Sequence, residues 1–148
     1  MPETFKDLDI EIIDWGIDVN FKGPIYMAHA VIGSMMEQGS GVIINIGSID
    51  GETGSFAVDY SASKSGIMQG LTKSLALYGA PHKVRVCCVS PGPVLTRPAM
   101  ANMRTPLGRA AEVQEVVDLI LFLASEQAAY ITGVNYLIDG GRSCGAQN

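Results

Sequence analysis

Hydrophobic residues recur at helical spacing through the first quarter of the chain. Between residues 8 and 38 the apolar positions stand three or four apart, interrupted only by Gly23-Pro24. This period predicts one long helix, and a kink is expected at Gly23-Pro24 because proline cannot donate a backbone hydrogen bond. The residues that carry the apolar stripe are Ile10, Ile13, Ile17, Phe21, Ile25, Ala28 and Ile32.

Three short runs have the composition of buried strands. Residues 42–46, 84–89 and 134–138 are rich in β-branched side chains and lack regular polar alternation, which is typical of strands covered on both faces. Helical periodicity returns between them, over residues 60–78 and 111–124. The order is helix, strand, helix, strand, helix, strand. It predicts an α/β fold with a parallel sheet, right-handed crossovers and helices on both faces.

The two remaining segments are predicted to be loops. Residues 47–58 connect the first strand to the second helix, and residues 94–109 form a long connection without clean periodicity. Loops of the second length are usually functional or disordered. Residues 94–109 offer apolar walls for a substrate through Pro98, Met100, Met103 and Leu107.

Composition narrows the class of protein. The 148 residues are expected to form a single domain, and 47% of them are hydrophobic. A net charge of -5 argues against nucleic acid or an anionic membrane as partner. The N-terminus lacks a leader pattern and no apolar run approaches about 18 residues, so a cytoplasmic protein is expected. The three cysteines match no zinc-ligand spacing, and no metal is predicted.

Tyr60 and Lys64 are the strongest candidates for chemistry. They stand four residues apart at the start of a helical segment, which stacks a phenol and an ammonium on one helix face. A nearby cation stabilises a phenolate, so such a pair can perform general acid–base chemistry. The same spacing is also common on ordinary amphipathic helices. Ser48 follows the first strand, 12 residues before Tyr60, and its hydroxyl can converge with the phenol on one substrate oxygen.

Five stretches occur in an order that is specific as a set. They are Asp18-Val19-Asn20-Phe21-Lys22-Gly23, Ile43-Ile44-Asn45-Ile46-Gly47-Ser48, Tyr60-Ser61-Ala62-Ser63-Lys64, Ser90-Pro91-Gly92-Pro93-Val94-Leu95-Thr96 and Thr132-Gly133-Val134-Asn135-Tyr136-Leu137-Ile138-Asp139-Gly140-Gly141. Together they resemble the C-terminal half of a short-chain dehydrogenase/reductase, over about residues 8 to 141.

The resemblance implies an NAD(P)-dependent oxidoreductase that interconverts a carbonyl and a secondary alcohol. It implies that Tyr60 exchanges a proton with the substrate oxygen, that Ser48 hydrogen-bonds the same oxygen, and that Lys64 assists Tyr60. Asn20 would anchor a water that links Lys64 to solvent. The implied cofactor-binding residues are Tyr60, Lys64, Pro91, Gly92, Val94 and Thr96.

The chain departs from the family pattern in one respect. Family members begin with a strand, a glycine-rich turn and a helix that bind the dinucleotide pyrophosphate, and no such glycine motif occurs here. We therefore expect a partial Rossmann-like sheet in a truncated chain that binds NAD or NADP weakly or not at all by itself. The alternative is a non-enzymatic oligomerisation module or remnant that keeps the fold without binding cofactor.

Partners and competing chemistries follow from the same pattern. The first predicted strand would be an open apolar edge, so a homo-oligomer or partner chain is expected to cover this edge and the two long helices.

Ser61-x-x-Lys64 overlaps an acyl-transferase pattern, but its usual companion motifs are absent from the sequence. His29 and His82 lack a Gly-x-Ser-x-Gly nucleophile motif.

Overall fold

Three parallel strands form the centre of the protein. The computed structural model describes residues 5–145, so the expectation about a leader lies partly outside the described residues. The strands are β1 (Gly41–Ile46), β2 (Val84–Pro91) and β3 (Asn135–Ile138), and their order is β1-β2-β3. β1 pairs with β2 from Gly41 opposite Val84, and β2 pairs with β3 from Cys88 opposite Asn135. The predicted parallel sheet is confirmed.

Helices connect the strands and flank the sheet. They are α1 (Ile10–Ile17), α2 (Gly23–Gln38), α3 (Ile49–Thr53), α4 (Val58–Gly66), α5 (Thr72–Gly79) and α6 (Val113–Ala124). The third predicted helix is confirmed as α6, although it begins at Val113 rather than at residue 111. The prediction that residues 47–58 are entirely loop is wrong, because α3 lies within them.

The first long helix changes its winding earlier than the sequence predicts. A π-helical turn, Asp18–Lys22, separates α1 from α2, and the N–H of Gly23 donates to the carbonyl of Asp18 five residues earlier. Pro24 has no N–H, so it cannot donate to the carbonyl of Asn20. The missing donor therefore disturbs the helix before Gly23-Pro24 rather than at it, and π-turns are frequent at functional sites.

The second long helix also contains a π-turn. Residues Ile67–Leu71 separate α4 from α5, and the Thr72 hydroxyl donates to the Ile67 carbonyl over 2.7 Å. The side-chain amide of Asn45 in β1 donates to the Thr72 oxygen over 3.0 Å. Both side chains are buried, so these bonds satisfy polar groups that water cannot reach and fix the helix on the sheet.

Adjacent cysteines on β2 show that both faces of the sheet are covered. Cys87 packs on one face with Val89 and Leu123, the latter from α6. Cys88 packs on the other face with Ile67 and Met68 from the second long helix. This alternation confirms the predicted helices on both faces. The structure records both thiols as free and buried, whereas the free thiol of Cys144 is exposed.

The long connection after β2 is partly anchored. A 3-10 turn spans Pro98–Asn102, and Val94 forms a bridge with Ala111. The N–H of Leu107 donates to the carbonyl of Gly140 over 3.2 Å, beyond the end of β3. The second part of residues 94–109 is therefore tied to the carboxyl edge of the sheet.

Two further observations concern the edge of the sheet and the described helices and side chains. Among the described strands, β1 pairs only with β2, which leaves its other edge open. Residues 5–145 include no helix with both the length and the hydrophobicity needed to cross a membrane, and no cluster of three or more His, Cys, Asp or Glu placed to hold a metal ion.

Candidate active site

Ser48 is placed at the carboxyl edge of the sheet by the end of β1. It caps α3, and its Oγ accepts a hydrogen bond from the N–H of Asp50 over 3.1 Å. The side chain is only 8% exposed, which limits its rotation. Because the N–H occupies an oxygen lone pair, the O–H hydrogen of Ser48 is free to donate to another group.

Gly47 allows the chain to pass close to β2 immediately before Ser48. A Cβ at this position would overlap the Ser90 hydroxyl and would lie 2.6 Å from the Cγ of Met68. The N–H of Gly47 instead donates to the carbonyl of Val89 over 2.8 Å, which continues the pairing of β1 with β2. The absence of a side chain at Gly47 therefore fixes the position of Ser48.

Tyr60 and Lys64 lie together on α4, as their spacing predicts. The Nζ of Lys64 is 5.5 Å from the centroid of the Tyr60 ring and donates to the carbonyl of Ile46 over 3.0 Å. The ammonium is thus held at the end of β1, two residues before Ser48. At this distance its charge can stabilise negative charge that develops on the phenol.

Within residues 5–145, no carboxylate forms an ion pair with Lys64. Burial lowers the pKa of Lys64, and the neighbouring Cys88 opposes this effect only in part. Burial likewise raises the pKa of the Cys88 thiol, against hydrogen bonds from Ser90 and others. Lys64 is therefore easier to deprotonate than a solvated lysine, which suits a group that takes part in proton exchange.

Asn20 lies in the first π-turn, beside α4. Its side-chain amide donates to the carbonyl of Gly16 over 3.0 Å, within its own helix. The turn packs closely on α4, since a Cβ on Gly66 would lie 2.8 Å from the ring of Phe21. The structure thus brings the Asn20 segment against the helix that carries Lys64, while the side chain itself bonds locally.

The predicted cofactor-binding residues after β2 are positioned by close packing of Gly92 against the end of β3. The N–H of Gly92 donates to the carbonyl of Ile138 over 3.0 Å, and a Cβ on Gly92 would lie 2.8 Å from the Cα of Asp139. Val94 is fixed by its bridge to Ala111, and the hydroxyl of Thr96 bonds the carbonyl of Val94 over 3.4 Å. These residues leave the sheet at the same edge as Ser48, which is the edge where parallel α/β sheets bind ligands.

A cleft beside Ser48 was not predicted. It measures about 390 Å³ and lies between α3 with its following loop and the turn after β3, including Arg142. The hydroxyls of Ser55 and Ser61 lie 2.8 Å apart, which ties this loop to the residue after Tyr60. The sequence signal that points to it is the Asp139-Gly140-Gly141 turn, which must leave β3 at the same edge.

Comparison with known proteins assigns the chain to a family of reductases. The family model described as enoyl-(acyl carrier protein) reductase matches residues 1–143. The chain is 41% identical to trans-4-hydroxycyclohexanecarboxylate dehydrogenase of Sinomonas cyclohexanicum, covering 96% of this chain and 56% of that protein. It is 40% identical to 3-alpha-(or 20-beta)-hydroxysteroid dehydrogenase of Mycobacterium tuberculosis, covering 93% of this chain and 55% of that one. The chain thus spans about half the length of these curated relatives.

A solved structure supports the same relationship. The 3-oxoacyl-[acyl-carrier protein] reductase of Brucella melitensis, solved with bound NAD, superimposes with a TM-score of 0.88 at 32% identity. The match covers 95% of this chain and 55% of that one. The partial Rossmann-like sheet is therefore a shared fold rather than a local similarity of motifs.

Removal of the Lys64 charge is expected to stabilise the fold. Lys64→Met should raise the urea midpoint at pH 7, because burial disfavours the ammonium in the folded state. Between its lowered pKa when folded and the ordinary value of 10.5, the unfolded chain binds more protons. Wild-type stability therefore rises with pH in that window, and the advantage of Lys64→Met should shrink there.

The control for this measurement is Lys73→Met, at an exposed position on α5, whose midpoint should match that of the wild type. A lower midpoint for Lys64→Met than for the wild type at pH 7 would contradict the expectation. It would mean that the bond from Lys64 to the carbonyl of Ile46 outweighs the cost of burying the charge.

Proposed function

Since this chain belongs to the short-chain dehydrogenase/reductase family, we propose that it serves the NAD(P)-dependent interconversion of a carbonyl compound and a secondary alcohol. The observation that carries the proposal is the position of Lys64 between the Tyr60 ring and the end of β1. It puts an acid–base pair at the edge where parallel α/β sheets bind ligands.

Tyr60 is the proton donor in this proposal. In the reducing direction its hydroxyl gives a proton to the substrate oxygen, and in the oxidising direction its phenolate removes one. The ammonium of Lys64 favours the phenolate through its charge. Ser48, whose oxygen already accepts from Asp50, donates its free hydrogen to the same substrate oxygen.

Asn20 supplies the return path for the proton. Its backbone carbonyl cannot receive a hydrogen bond from Pro24, and in this proposal it accepts one from a water instead. That water connects Lys64 to solvent, and Lys64 restores the Tyr60 proton after each reduction. The packing of Phe21 against Gly66 supports this role, since it holds the π-turn against α4.

The cofactor in this proposal is NAD or NADP. The residues that hold its nicotinamide end are Tyr60, Lys64, Pro91, Gly92, Val94 and Thr96. When bound, the nicotinamide supplies or accepts the hydride. The sequence contains no glycine-rich motif of the kind that binds a pyrophosphate, so its residues offer little to that group.

The substrate binds under the connection that follows β2. Its apolar residues Pro98, Met100, Met103 and Leu107 form the walls, and Ser48 and Tyr60 receive the reacting oxygen. The similar proteins act, by their names, on a cyclohexane carboxylic acid and on hydroxysteroids. Cyclic ketones and the corresponding alcohols are therefore the first substrates to assay.

A second chain completes the molecule in this proposal. Trp15, Met27 and Leu77 on the two long helices are 67%, 68% and 79% exposed. A groove of about 320 Å³ runs between α2 and the open edge of β1. Met27 lines this groove, so exposed apolar surface adjoins an unpaired strand edge, which favours a homo-oligomer or a partner chain.

Calorimetric titration with NADH and NADPH is the first test of cofactor binding. We expect a dissociation constant in the millimolar range or no measurable heat, because the pyrophosphate lacks its backbone donors. Loss of several charge-assisted hydrogen bonds at ~1.5–3 kcal/mol each is enough to weaken a micromolar site a thousandfold. Micromolar binding of either cofactor would contradict this expectation and indicate a site built differently.

Tyr60→Phe tests the assignment of the proton donor. With millimolar cofactor and a cyclic ketone, the substitution is expected to abolish turnover, because the proton-transfer group is lost. Cofactor affinity should stay nearly constant, because the aromatic ring and the other residues proposed to hold the nicotinamide end remain. Tyr130→Phe, at a fully exposed position, is the matched control and should behave like the wild type. Retained turnover in Tyr60→Phe would remove Tyr60 from the mechanism.

Sedimentation tests the expected assembly. The wild type should sediment as a dimer or larger species at micromolar concentration, and Trp15→Glu should shift it toward monomer by placing a charge in the apolar interface. Phe56→Glu, fully exposed in the loop after α3, is the control and should leave the assembly unchanged. A monomeric wild type would count decisively against this part of the proposal.

A further inference from the structure

The cleft beside Ser48 adjoins the proposed reaction centre. Its lining begins with Ile49, the residue after Ser48, and includes Ser55, which is tied to Ser61 next to Tyr60. Across the cleft from these residues stands the turn that follows β3, with Arg142 and Ser143. A substrate whose oxygen lies at Ser48 and Tyr60 therefore has this cleft beside it.

Arg142 brings an unmatched positive charge into the cleft. Its side chain is partly buried, and within residues 5–145 its guanidinium makes no hydrogen bond or ion pair. Arg97 and Arg104 are exposed and do not line this cleft. Two other arginines are held by groups of the protein. Arg109 forms a bidentate pair with Glu115, and Arg85 donates to the carbonyls of Ile131 and Ser125.

The turn that carries Arg142 is fixed before any ligand arrives. One oxygen of the Asp139 carboxylate accepts the N–H of Gly141 over 2.9 Å, and the other accepts the N–H of Ser143 over 2.7 Å. Burial acts to raise the pKa of Asp139, but these hydrogen bonds outweigh it and lower that pKa. Gly140 and Gly141 have φ of 63° and 84°, which few other residues adopt.

The other wall of the cleft contains an acidic residue. Asp50 on α3 lines the same space, yet within the described residues the two side chains do not form an ion pair within 4.0 Å. Asp50 consequently leaves the guanidinium available. It also disfavours a ligand with more than one negative charge, because like charges repel at short range.

We propose that Arg142 binds a carboxylate carried by the substrate at a distance from its reacting carbonyl or alcohol, so that this cleft selects oxo and hydroxy acids over neutral ketones. The inference rests on the proposed function, which places the reacting oxygen at Ser48 and Tyr60. A planar guanidinium matches a carboxylate in shape and charge, and the Ser143 hydroxyl adds a neighbouring polar group. Arg142 is thus the specificity-determining residue for the acid group.

The test measures binding without turnover. Cyclohexanecarboxylate and its methyl ester are titrated into the full chain at low salt, with chemical-shift changes as the readout. The acid should bind about tenfold more tightly than the ester, and Arg142→Gln should remove that preference while leaving ester binding unchanged. Arg142→Lys should restore part of it, because the charge remains while the bidentate geometry is lost.

Two further variants separate a local contact from a general charge effect. Lys83→Gln removes one positive charge at the start of β2, at the opposite end of the sheet, and should not change the preference for the acid. Asp50→Asn should strengthen acid binding a few-fold by removing repulsion. Equal affinities of the wild type for acid and ester, or an unchanged preference in Arg142→Gln, would overturn the proposal.

Turnover distinguishes this proposal from the proposed function. With 4-oxocyclohexanecarboxylate and its methyl ester, Arg142→Gln should raise KM about tenfold for the acid only and leave kcat unchanged. If the wild type, supplied with millimolar NADH or NADPH, reduces neither compound but binds the acid through Arg142, the proposed oxidoreductase activity of this chain fails and the carboxylate site stands. If it reduces both equally well, the oxidoreductase assignment stands and the carboxylate site fails.

Discussion

The buried hydrogen bond from Asn45 to Thr72 links β1 to the second long helix and constrains how that helix lies on the sheet. Thr72 passes the interaction on, because its hydroxyl donates to the carbonyl of Ile67 at the start of the π-turn. A buried hydrogen bond contributes only about 0.5–1.5 kcal/mol net, whereas leaving its partners unsatisfied costs about 1–3 kcal/mol. That asymmetry favours one seating of the helix. The seating brings α4, with Tyr60 and Lys64, to the carboxyl end of β1.

The regular elements could be predicted because their patterns are local. The runs over residues 42–46 and 84–89 are β-branched and apolar on both faces, and both became strands of the parallel sheet. The two π-turns escaped prediction, because apolar spacings of three and four continue across a single wider turn. The short helix α3 escaped as well, since Gly51 is a poor helix former. It forms because Ser48 caps it and because Gly51 packs against the backbone at Lys64.

The candidate site divides in the same way. Tyr60 and Lys64 were predictable together, because a spacing of four residues on a helix already sets their proximity. Arg142 was not, since its approach to α3 depends on the direction in which the chain leaves β3. That direction follows from Asp139 and two glycines in a left-handed conformation. It cannot be predicted from the periodicity of hydrophobic residues. Residues brought together by local geometry can be predicted from sequence, whereas residues brought together by turns at a sheet edge require the structure.

The lysine side chains of this protein differ in whether a carboxylate pairs with them. On the exposed surface of the first long helix, the hydrogen bond and charge of Asp18 raise the pKa of Lys22, and a fully paired ammonium has little effect on other groups. Lys64 has a backbone carbonyl in place of such a carboxylate, so its ammonium is held 5.5 Å from the centroid of the Tyr60 ring. A carboxylate at that position would stabilise the fold and cancel the field. The proposed role of Lys64 in proton transfer therefore depends on an ammonium that is costly to bury and that no carboxylate neutralises.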